Sequence, residues 1–128
     1  DFKSITRVMI ALGFSRESGR HFVHPKTDFF VEFPGNAATV GDEPISEFSE
    51  IRTQLGILKL LTPTHCVMDR LSAFYHWNDQ QSLEQALGVA KAKRVNLKQI
   101  RAWSGREGMA EKFKIFEKRL RKLRTAQP

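Results

Sequence analysis

Pro63 separates two kinds of hydrophobic pattern, and that separation most constrains the fold. Before it, apolar residues fall in short runs broken by Pro and Gly. After it they recur every three or four residues almost to the end. Residues 20–24 and 28–33 read as two strands joined by a turn at Pro25-Lys26-Thr27. Pro34, Gly35, Gly41 and Pro44 mark 34–44 as a loop. Ile51–Thr53 and Ile57–Leu61 read as a hairpin turning at Gly56. Ahead of these strands, Ser4 is placed to cap a helix with the stripe Ile5, Val8, Met9 and Leu12, ended by Gly13.

Beyond Pro63 the spacing predicts four helices. The first covers about 64–77 and turns Val67, Leu71, Phe74 and Tyr75 inward. The second covers roughly 80–93 and buries Leu83, Ala86, Leu87 and Ala90, with Asn78 or Asp79 as its cap. Asn96 caps a third, carrying Leu97, Ile100 and Trp103 and stopping near Gly105. The last carries Met109, Phe113, Phe116, Leu120 and Leu123. The expected fold class is α+β, with a small, mostly antiparallel sheet and a helical C-terminal half. A chain of 128 residues is expected to form a single domain, with an α/β part over 1–62 and a helical part over 63–128.

Charge is unevenly spread. Residues 91–128 hold 13 Lys and Arg against 3 Glu, a net +10, whereas residues 1–90 carry a net −3. Such asymmetry favours an acidic partner for the C-terminal third. On the last helix Lys114, Lys118, Arg121 and Lys122 share the side opposite the apolar stripe, flanked by Lys112 and Arg119. That side can contact nucleic-acid phosphates, face water, or lie against a partner chain. No zinc-finger spacing and no Gly-rich phosphate loop accompanies it.

There is no long apolar run and no signal-peptide pattern, so no membrane span is expected. Cys66 is the only cysteine, which makes a reducing cytoplasm the expected compartment. The chain begins at Asp1 rather than Met, which leads us to expect further residues upstream.

The strand Asp28-Phe29-Phe30-Val31-Glu32-Phe33 closes on Pro34-Gly35, and Thr62-Pro63 later opens a helix through Asp69-Arg70-Leu71. This order resembles the second half of nucleotidyltransferase-fold proteins of the abortive-infection, type IV toxin–antitoxin class and their uncharacterised bacterial relatives, over roughly residues 4–90. The resemblance implies a truncated nucleotidyltransferase fold. By it, Glu32 matches a third metal-binding acid and Arg70 a basic residue after the Thr-Pro turn, making these two the candidate catalytic residues. It also implies magnesium as cofactor wherever the full carboxylate set is present, and no cofactor is expected in this chain as it stands.

No Gly-Ser followed by an Asp-x-Asp strand occurs in this chain. The expectation is therefore a truncated or inactive relative that binds nucleic acid or a partner protein. The alternative is part of a metal-dependent nucleotidyltransferase whose Asp pair lies upstream. A sheet edge left open by missing strands would favour a homodimer.

Other titratable groups fall into three sets. Asp28 and Glu32 share a strand face but sit about 13 Å apart. His21 and His24, three apart on a strand, point to opposite faces and cannot chelate one ion. His65, Asp69, Ser72 and His76 fall within about 60° on one helix face, a proton-relay or metal stripe if they converge. Tyr75-His76-Trp77-Asn78-Asp79 is either a base-stacking surface or a helix end and cap.

Overall fold

The structure, a computed structural model, describes residues 1–126. The chain packs as two units, Asp1–Ala37 and Ala38–Pro128. The fold class is α+β, with a helical C-terminal half and strands distributed over three small antiparallel sheets.

In the first unit, α1 (Phe2–Ala11) precedes β1 (Ser15–Ser18), β2 (His21–His24) and β3 (Thr27–Glu32), which form a sheet in the order β1-β2-β3. The helix begins earlier than its Ser4 signal. Asp1 is the cap, and its carboxylate accepts the Ser4 N–H at 3.0 Å. Strand β1, Ser-Arg-Glu-Ser, has no apolar alternation to betray it. It is an exposed edge strand held by its register with β2, Arg16 opposite Phe22. Phe22 is fully buried, with the rings of Phe2 and Phe33 at 6.1 and 5.8 Å and Met9 buried on α1.

The second unit opens with a minimal hairpin, β4 (Thr39–Val40) and β5 (Glu43–Pro44), inside the stretch that reads as loop. Gly41 makes its turn at φ +56, a left-handed conformation that glycine adopts without a Cβ clash. The hairpin drives Val40 into the helical core. The longer hairpin of β6 (Phe48–Thr53) and β7 (Gly56–Leu61) pairs Phe48 with Leu61 and Thr53 with Gly56.

Four helices follow: α2 (Pro63–Trp77), α3 (Gln80–Ala92), α4 (Leu97–Arg106) and α5 (Ala110–Thr125). Thr62 caps α2 by accepting the His65 N–H, with Pro63 at the first helical position, where its missing N–H costs nothing. Asn78 closes α2 at φ +52, and Asp79 starts α3 by accepting the Gln81 and Ser82 N–H groups. The Ser82 hydroxyl also donates to Asp79, and these hydrogen bonds hold its carboxyl below the ordinary value. Helix α4 runs through Gly105 to Arg106, and the left-handed residue before α5 is Gly108.

The core joins Val67, Met68, Leu71, Phe74 and Tyr75 of α2 to Leu83, Ala86, Leu87 and Ala90 of α3. Ile100 and Trp103 of α4 and Phe113, Phe116 and Leu120 of α5 complete it. The helical spacing turns these residues inward, Met68 excepted, whereas Leu97, Met109 and Leu123, which it places on the same stripes, are only half-buried against the core. No helix among the described residues is long and apolar enough to cross a membrane.

Candidate nucleic-acid interface

The alternation on α5 sets the surface. Phe113, Phe116 and Leu120 are buried, while Lys114, Lys118, Arg121 and Lys122 are all exposed. These four cations therefore occupy one solvent-facing side of one helix. Lys114 bonds Glu111 at 2.6 Å, and Arg121 lies 3.8 Å from Glu117. The Lys114–Glu111 pair is exposed on both sides, contributes little and yields readily to a competing anion. Lys118 and Lys122 have no acidic partner within 4.0 Å among the described residues, and the same holds for Lys91, Lys93, Arg94 and Lys98 near the α3–α4 turn. Arg94 borders a polar depression of about 450 Å³ shared with Thr64, Val95, Asn96 and Leu97. The three glutamates of this region are each engaged: Glu107 with His76, Glu111 with Lys114, and Glu117 with Arg101 and Arg121.

The other cations here are structural. Arg119 pairs with Glu84 of α3, Arg101 with Glu117 and Arg106 with Glu43. Arg124 donates to the Ala90 carbonyl at the end of α3. Lys112 donates to the Phe74 and Tyr75 carbonyls at 3.2 and 2.6 Å and lies 5.2 Å from the Phe74 ring centre. It thereby satisfies carbonyls that the last turn of α2 cannot bond internally. Lys112→Met keeps the apolar stem and loses these bonds. It should lower unfolding free energy by about 1.5–3 kcal/mol, whereas Lys118→Met should stay within about 0.5 kcal/mol of the parent. Urea titration followed by circular dichroism distinguishes the two.

The residues implied by the family resemblance lie in different units, Glu32 at the end of β3 and Arg70 on α2. Glu32 is exposed and stands opposite His21 in the β2–β3 register. Arg70 bonds Asp69 through two nitrogens, at 2.5 and 3.0 Å, and reaches Gln85 of α3 at 3.3 Å, so its charge is matched by its neighbour. Among the described residues no group of three His, Cys, Asp or Glu side chains is placed to hold a metal ion.

The histidines disperse as well. His21 stacks on Phe30 at 4.3 Å, while His24 meets Phe14 edge-on at 4.9 Å and accepts the Lys26 N–H. On α2, His65 bonds the Thr62 hydroxyl, Asp69 bonds Arg70, and His76 lies 3.5 Å from Glu107, so the polar stripe divides among separate partners. Burial pushes the Cys66 thiol up, outweighing the lowering by Arg70, which disfavours the thiolate a nucleophile requires.

The cations at the α3–α4 turn fall within the net +10 of residues 91–128, but no helical stripe in the sequence singles them out. Their signal was the run Lys91, Lys93, Arg94 and Lys98 around the Asn96 cap. The comparisons with known proteins find no family model, no curated sequence and no solved structure that matches this chain.

Proposed function

We propose that this chain is a binding module for nucleic acid, acting through the exposed cations of α5 and the α3–α4 turn. We further propose that it derives from a nucleotidyltransferase-like ancestor and lacks transfer chemistry of its own. The observation that carries the binding reading is the surplus of cations. The three glutamates of the helical third are taken up by neighbours, while Lys91, Lys93, Arg94, Lys98, Lys118 and Lys122 have no acidic partner among the described residues. Such a surface suits backbone phosphates rather than base sequence, since five of these six cations are lysines, compact point charges without the planar donor fork of arginine.

Nucleic acid is the partner these charges favour over a partner protein, and self-association through an open strand edge is compatible with it. A reducing cytoplasm suits the single protonated thiol.

The test is fluorescence anisotropy on mixed-sequence RNA and DNA over a salt series. Affinity should fall linearly on logarithmic axes, each released counterion adding roughly 0.7–0.9 to the slope. Replacing Lys114, Lys118, Arg121 and Lys122 with Gln should weaken binding at least about tenfold and flatten the slope by about 3. Folding should persist, because these positions avoid the Phe113–Phe116–Leu120 stripe. Absence of binding at low salt rejects nucleic acid and leaves a partner protein as the reading.

A further inference from the structure

Strand β6 has an open edge. Among the described residues it pairs with β7 alone in a two-stranded sheet, and every residue of Phe48–Thr53 except Ser49 is exposed. A hairpin of two strands is marginal in water, and an unpaired edge is a template for another strand. The register shows what that edge offers. Only Gln54 and Leu55 lie between the opposed pair Thr53 and Gly56. A two-residue turn makes its flanking pair exchange both main-chain hydrogen bonds. By alternation Ser49, Ile51 and Thr53 bond inward to β7, and Phe48, Glu50 and Arg52 turn their N–H and C=O groups outward. Side chains alternate likewise: Ile51 shares a face with the opposed Leu58 and with Leu60, while Glu50, its opposite Lys59, and Arg52 share the other.

We propose that β6 pairs antiparallel with β6 of a second copy about a twofold axis at Ile51, giving a four-stranded sheet in the order β7-β6-β6-β7. The outward groups of one strand must meet the outward groups of the other, so the axis must pass through a residue and not between two. An axis at Glu50 sets glutamate against glutamate, and one at Arg52 sets arginine against arginine, both unfavourable across a strand pair. An axis at Ile51 sets Glu50 of each copy directly opposite Arg52 of the other, twice by symmetry. It also makes the two Ile51 residues a close, non-hydrogen-bonded pair. The exposed Ile51 and Leu58, 48% and 51% accessible, then extend into an apolar row, Leu58–Ile51–Ile51–Leu58. The outward residues of β7 (Ile57, Lys59 and Leu61) include no acid, so only the β6 edge is complementary in charge to itself. That self-complementarity is why the occupant is a second copy.

Light scattering on the chain without nucleic acid, at high micromolar concentration, should give a dimer that dissociates on dilution. Glu50→Arg alone or Arg52→Glu alone should raise the dimer dissociation constant about tenfold, since each makes both opposed pairs like-charged. Mixing these two variants should restore association as a one-to-one heterodimer, because every opposed pair then has opposite signs. Glu50→Pro removes an outward N–H and no bond to β7, so it should abolish pairing while circular dichroism stays unchanged. A monomer for the parent chain, a dimer indifferent to the charge reversals, or variants that fail to recombine would overturn the proposal. These readouts contain no nucleic acid, so they stand or fall apart from the binding reading.

Discussion

Trp103→Ala should lower the unfolding free energy of the helical unit by about 3–5 kcal/mol, the range for emptying a buried aromatic site. Trp103 is fully buried and stacks on Tyr75 at 5.6 Å, within a core drawn from all four helices and Val40. Against a usual total of about 5–15 kcal/mol, such a loss leaves the unit near its folding threshold. Trp103→Phe should cost far less. The indole N–H is buried without a hydrogen-bond partner among the described residues, so phenylalanine removes an unsatisfied donor along with part of the ring. Urea unfolding followed at 222 nm is the suitable measurement, because Trp103 itself dominates any fluorescence change. A loss below about 1 kcal/mol for the alanine variant would show that the helices do not depend on this side chain.

Stability should also fall steeply in alkali, and Tyr75 should account for much of it. Burial pushes its phenol up to about 12, outweighing the lowering by Ser104, whose hydroxyl lies 2.8 Å away. A phenol near 10 in the unfolded chain deprotonates first there, so between these values the folded state holds more protons. Stability from this group is full below pH 10 and declines as pH rises toward 12, by about 2–3 kcal/mol in all. Tyr75→Phe removes this dependence and costs about 1 kcal/mol at neutral pH. Ser104 retains its bond to the Ile100 carbonyl at 2.8 Å in the variant. Denaturant titrations of both proteins should therefore find the parent the more stable at pH 9.5 and that advantage lost or reversed at pH 11.5. Parallel declines in the two would assign the alkaline loss to other groups.

The helical half was legible in the sequence because its signals are local and agree. Pro63 follows a Thr cap, Asp79 and Asn96 sit where caps are needed, and the spacing from Val67 to Leu120 names the buried face directly. The outward side of α5 followed from the same periodicity. What lies between helices was not legible. Nothing in the spacing of Lys112 or Arg124 distinguishes them from Lys118, yet two are spent on helix carbonyls and one faces water.

The same limit applies to the strands and the remaining sites. The short runs announced β2, β3, β7 and the second half of β6, but β1 and the β4–β5 hairpin carry no apolar alternation and exist through pairing and the Gly41 turn. Hydrophobic pattern alone placed the principal break at Pro63, whereas packing divides the chain between Ala37 and Ala38, because Val40 and the short hairpin join the helical core. Spacing likewise brought His65, Asp69 and His76 onto one helix face. Their partners on that helix and on neighbouring segments decided that they do not act together. Periodicity thus determined which side of each helix is buried, since 3.6 residues per turn leaves little choice. Which charge meets which, and which strand edge stays open, depends on groups far apart in the chain, and only the tertiary structure decided it.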